Sequence, residues 1–108
     1  MKTFKVKMYG KEYELYCKRF KYAYPENTMI QLYEVNGEPY GILSTNPGFK
    51  LGENEFYSCP NNYGSILCEM VGLKLIKMKE SIWRSGYNIY QGFIINEKVF
   101  SQYEKENI

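Results

Sequence analysis

Histidine and aspartate are both missing from this chain of 108 residues: the histidine count is 0, and all 12 acidic side chains are glutamate. The two absences remove Ser-His-Asp and Cys-His nucleophile systems, His-Glu-x-x-His metal helices and aspartate-based calcium loops. Cysteine is scarce as well. Cys17, Cys59 and Cys68 make neither an even disulfide set nor a Cys-x-x-Cys pair, and no histidine completes a zinc site. Reduced thiols are expected, with no metal and no other cofactor. No apolar run approaches the ~20 residues of a membrane span. The first seven residues alternate charged and apolar side chains, unlike a signal peptide, and no Asn-x-Ser/Thr acceptor occurs. A cytoplasmic protein that does not enter a membrane is the expectation.

What the chain does carry is aromatic. Twelve tyrosines, 6 phenylalanines and 1 tryptophan make up 18% of it, within a 44% hydrophobic and 24% charged composition. That is enough apolar area for one folded domain over 1–108 and too much for a disordered chain. The net charge of +2 is too mild for a dedicated nucleic-acid binder. Its distribution is uneven: residues 1–24 hold seven cations against Glu12 and Glu14, so a basic N-terminal region precedes a slightly acidic remainder.

Hydrophobic spacing outlines the fold. Residues 3–9 place Phe4, Val6 and Met8 on one side and Lys5 and Lys7 on the other, the period of a half-buried strand. A turn at Gly10-Lys11 would set Val6 against Leu15, Phe4 against Cys17 and Lys7 against Glu14. The second strand is read to about Tyr22, with a bulge at Lys18-Arg19 where the alternation changes phase. Residues 28–35 form the next strand, and Asn36-Gly37 reads as a type I′ hairpin turn pairing Ile30 with Leu43 and, on the other face, Tyr33 with Tyr40. A loop follows over 46–52, then a short strand over 55–59.

From 62 to 71 the spacing becomes helical, with Ile66, Leu67, Met70 and Val71 inward, Cys68 packed, and Gly72-Leu73 as a left-handed stop. Residues 73–78 alternate again, 79–86 read as a loop, and 87–95 as a strand. The tail 96–108 is read as a short helix capped by Asn96, with Val99, Phe100 and Tyr103 inward; a strand with a frayed end is the alternative. These elements make an α+β domain, a mostly antiparallel sheet of hairpins with one helix on a face and a short C-terminal helix.

Chemistry is harder to find. Glu12 and Glu14 face lysine by register and read as an ion-paired strand surface, and Glu53 and Glu55 read as loop surface. Cys59 lacks a nearby cation to activate it and reads as structural, with a reactive thiol as the alternative. Gly48 and Gly52 lack the Gly-Lys-Ser/Thr ending of a phosphate loop. No catalytic residue emerges, so the chain reads as a non-enzyme. Two binding surfaces remain. Lys18-Arg19-Phe20-Lys21-Tyr22 interleaves cations with aromatics, and with Lys5 and Lys7 offers phosphate pairing and base stacking; its alternative is a charge-protected edge strand. Tyr33, Tyr40, Trp83 and Arg84 have the chemistry of protein-contact hot spots, with burial in the core as the alternative for the aromatics.

Gly37-Glu38-Pro39-Tyr40, Leu43-Ser44-Thr45-Asn46, Asn54-Glu55, Asn62-Tyr63 and Ser85-Gly86-Tyr87 resemble a family of small uncharacterised proteins of bacterial phages, plasmids and conjugative elements, over roughly residues 28–90. The resemblance supplies no catalytic residue. It implies a mobile-element setting, in which small proteins act by stoichiometric binding to a host protein or ribonucleoprotein complex, including inhibitors of defence nucleases such as anti-CRISPR proteins. The leading expectation is therefore a protein-binding inhibitor, with direct nucleic-acid or nucleotide binding through the basic hairpin as the alternative; homodimerisation through a strand edge is compatible with either.

Overall fold

Two antiparallel sheets and one main helix share a hydrophobic core in the computed structural model, which describes residues 1–106. The first sheet runs in the order β1 (Phe4–Met8), β2 (Lys11–Lys21), β3 (Thr28–Glu34), β4 (Pro39–Ile42). The second places β7 (Asn88–Ile95) between β5 (Glu55–Ser58) and β6 (Ile76–Ser85). Helix α1 (Pro60–Gly72) lies against the inner faces of both, burying Ile66, Leu67 and Met70 among Phe4, Leu15, Leu32, Phe56 and Phe93. The architecture is α+β, as the spacing predicts.

The first hairpin differs in register from the expected one. Tyr9 and Gly10 form the loop, both at positive φ (53° and 76°), so Phe4 pairs with Leu15, Val6 with Tyr13 and Lys7 with Glu12. The shift is two residues, which preserves the faces because strand side chains repeat with period two. Strand β2 carries no bulge: its register with β3 is continuous from Leu15↔Glu34 to Lys21↔Thr28. The alternation changes phase because the inward position beyond Cys17 is occupied by Arg19, whose charge is neutralised by the C-terminal segment.

The second hairpin turns in three residues instead of two. The Gly37 amide donates to the Glu34 carbonyl (2.8 Å), Gly37 takes φ 93°, and the Glu34 amide donates to the Glu38 carbonyl (2.9 Å). This type I turn with a glycine bulge sets Glu34 beside Glu38 and Tyr33 opposite Pro39, not Tyr40; a second bulge, with Tyr40 as the extra residue, then shifts the register between Tyr33 and Leu32, which faces Gly41. The expected Tyr33–Tyr40 pair is thereby broken. The pairing of Ile30 with Leu43 is retained through the Leu43 amide, which donates to the Ile30 carbonyl (2.8 Å).

Helix α1 begins with Pro60 in its first turn and ends in a Schellman closure: the Lys74 amide donates to the Val71 carbonyl (3.0 Å) and the Leu75 amide to that of Met70 (2.9 Å). The left-handed residue is Lys74 (φ 66°), not Gly72. Val71 and Cys68, expected inward, are exposed. Residues 79–86 are strand and turn, not loop. Three residues, Lys79, Glu80 and Ser81, bulge opposite Gly92, after which Ile82↔Gln91, Trp83↔Tyr90 and Arg84↔Ile89 pair regularly up to a turn with Gly86 at φ 62°.

The tail does form a helix, α2 (Glu97–Phe100), continued by a 3-10 turn (Ser101–Tyr103), with Phe100 and Tyr103 buried. Asn96 occupies the cap position, though its side chain makes no capping bond; its carbonyl accepts from the Phe100 amide (2.8 Å). Beyond it, Glu104 bridges Cys17 in parallel and the Lys105 amide donates to the Cys17 carbonyl (2.9 Å). The tail thus takes the place beside β2 that β1 leaves vacant past Leu15. Positions 107 and 108 of the expected helix lie outside the described residues.

Candidate protein-binding surface

Strand β5 pairs with β7 only over Gln91–Ile94, so the distal part of the β6–β7 hairpin continues as a two-stranded ribbon. Its two faces differ. Residues opposite each other in an antiparallel pair share a face, so Met78, Ile82, Arg84, Ile89 and Gln91 project on the side of α1, while Trp83 and Tyr90 project on the other. On the first face Met78 is 60% exposed, Ile82 55% and Ile89 43%. On the second, Trp83 stacks on Tyr90 with ring centroids 4.8 Å apart, and Phe49 meets Trp83 edge-on at 6.3 Å. Phe49 comes from the 46–52 loop, which the buried Asn27 holds in place by donating to the Phe49 carbonyl and the Asn46 side chain (both 2.9 Å) and accepting from the Leu51 amide (2.7 Å). Tyr87 stands fully exposed at the tip of the ribbon.

The four aromatic and arginine residues singled out by sequence are dispersed. Trp83 and Arg84 occupy opposite faces of the ribbon. Tyr33 lies on the outer face of the first sheet, stacked on Tyr16 at 5.5 Å beneath the Lys18 ammonium, 5.0 Å from its ring centre. Tyr40, the extra residue of the bulge between Pro39 and Gly41, lies on the inner rim, edge-on to Tyr13 at 5.2 Å and donating to the Met8 sulfur at 3.7 Å. Burial raises the pKa of its phenol.

The basic set is divided too. Lys5 and Lys7 pair across β1–β2 with Glu14 and Glu12, and Lys5 lies 4.0 Å from Glu12. Arg19 makes two-pronged contacts with both Glu97 (2.5 and 2.7 Å) and Glu104 (2.6 and 2.7 Å), with its guanidinium 5.0 Å from the Phe100 ring centre. Those hydrogen bonds raise the Arg19 pKa further and hold the Glu97 carboxyl below its ordinary value. Lys18 lies over Tyr33, and Lys21 turns to the other face beside Thr28. The five cations therefore line no common surface.

Sequence reasoning missed Phe49, Met78, Ile82, Ile89 and Tyr90. The signal was present: Ile82-Trp83 and Ile89-Tyr90 flank a glycine turn symmetrically. Three consecutive polar residues at 79–81 hid it, because they interrupt the alternation where the strand bulges.

As to catalytic chemistry, burial pushes the Cys17 thiol up to about 12, with Glu104 adding to the effect. Cys59 is buried ahead of the helix, and Cys68 is exposed on it. Among the described residues no group of three potential ligands could hold a metal ion, and no helix is long and apolar enough to cross a membrane. Comparison with family models, curated proteins and solved structures returned no match.

Proposed function

We propose that this protein is a non-enzymatic binding protein that acts by stoichiometric attachment to another protein, through the β6–β7 ribbon. The observation that supports this is the concentration of apolar side chains there: Met78, Ile82 and Ile89 exposed on one face, Tyr87 exposed at the tip, and on the other face the half-buried Trp83–Tyr90 stack with the exposed Phe49 against it. Exposed apolar side chains gathered on one element mark a contact site, and aromatic and arginine side chains dominate contact energies. The resemblance to mobile-element proteins adds a class of partner, a host defence nuclease complex met in the cytoplasm, and an inhibitory outcome by masking. Direct nucleic-acid binding has less support, since Lys5, Lys7 and Arg19 each face carboxylates within the chain.

The test is affinity capture from a bacterial lysate, with and without nuclease. A protein partner retained after nuclease treatment, and retained by Lys18→Glu/Lys21→Glu, fits the proposal. Loss on nuclease treatment, a steep loss with added salt, or loss in that double variant would favour nucleic acid.

A further inference from the structure

We propose that the trough between α1 and the root of β6 receives a short apolar segment of the partner flanked by carboxylates. This rests on the protein-binding reading above and specifies its chemistry. Two adjoining cavities form the trough. One, of about 270 Å3, lies between Leu67, Cys68 and Val71 on α1 and Met78, Gln91 and Phe93 on the sheet. The other, of about 410 Å3, shares Val71 and Met78 with the first and continues past Lys74 and Lys77. Val71 and Met78 are exposed at the junction. Apolar walls of this kind gain from any apolar side chain that covers them.

The charge at the trough selects the occupant. Among all the residues lining the two cavities, the charged ones are Lys74 and Lys77, and no carboxylate lines either. Neither lysine pairs with a carboxylate among the described residues. Lys74 is held in place by the helix closure, its backbone fixed in the left-handed region. A second copy of this chain is a poor occupant: a two-fold contact presents the same face twice, so four ammonium groups would gather around one apolar seam. An apolar segment with aspartate or glutamate beside it satisfies both features at once.

Cys68 provides a reporter, because it lines the trough and is exposed while Cys17 and Cys59 are buried. A displayed library of random peptides, selected against the full chain, should yield sequences with adjacent apolar residues flanked by carboxylates. Such a peptide should slow alkylation of Cys68 by iodoacetamide. Replacing its carboxylates by amides should weaken binding about tenfold, and Lys74→Glu/Lys77→Glu should weaken the original peptide comparably. Selected peptides without acidic bias, binding that leaves Cys68 alkylation unchanged, an empty selection, or self-association that protects Cys68 without peptide would each overturn the proposal. Its failure is distinguishable from failure of the broader reading: a nuclease-resistant partner lost on Ile82→Glu would leave the ribbon as a binding surface with the trough unused.

Discussion

Arg19 is the residue on which the C-terminal segment depends. It sits on the inward side of β2, where alternation calls for an apolar residue, and joins that strand to α2 and the following bridge through Glu97 and Glu104. Arg19→Met keeps the stem but leaves Glu104, 15% exposed, without its partner, and should lower stability by about 2 kcal/mol. Equilibrium urea unfolding checks this. Arg19→Lys should rescue only part, because an ammonium cannot fork onto two carboxylates. The pair also sets an acid dependence. Glu97 has its folded pKa below its unfolded value, so its contribution is fully present above about pH 4.3, the ordinary glutamate value, and is lost as pH falls through the lower folded value. Thermal melts of Glu97→Gln should show a shallower loss of stability over that acid range than the parent, with little difference in pH dependence near neutrality. The thiols divide in the same local way. With Cys17 pushed up to about 12 and buried, and Cys59 buried, native alkylation should modify Cys68 alone, and the other two only in denaturant. Mass spectrometry of the alkylated chain reads this directly.

At the scale of elements, the parts legible in the sequence were those that repeat: the alternation of β1 to β3, the helical spacing of Ile66, Leu67 and Met70, and the inward Phe100 and Tyr103 of the tail. What escaped were bulges of one and three residues that change the count. The bulge at Tyr40 turns that side chain onto the inner rim, and the bulge at Lys79–Ser81 disguises the second half of a ten-residue strand as a loop. Neither disturbs the hydrophobic inventory, so composition carries no trace of them; a one-residue slip only moves side chains between faces. The candidate site suffered most, because it lies on the disguised strand: of the four aromatic and arginine positions, Trp83 and Arg84 fall on the ribbon, while its exposed isoleucines were overlooked. Backbone geometry also offers a test at this scale. Lys74 adopts φ 66°, a region costly for any side chain, so Lys74→Gly should raise stability by about 1 kcal/mol in urea unfolding. Gly37→Ala, at φ 93°, should lower it by a similar ~1 kcal/mol.

Across the whole molecule, the two sheets have unequal tasks. The first sheet, α1 and the tail close the core, with every buried side-chain polar atom among the described residues hydrogen-bonded. The second sheet contributes Phe56, Phe93, Ile76 and Ile95 to that core and then extends beyond it as a ribbon whose exposed isoleucines, Ile82 and Ile89, contribute little to folding. Ile82→Glu should therefore leave the melting temperature nearly unchanged, since the side chain is already 55% exposed, while abolishing attachment to a partner. That separation of stability from binding is what distinguishes a contact surface from an exposed part of the core. Amide hydrogen exchange, measured on the free protein and on the protein bound to its captured partner, tests the assignment most directly. Protection confined to residues 82–91 and the adjoining trough is the predicted result. Unchanged exchange there, with protection appearing instead on β1 and β2, would contradict it.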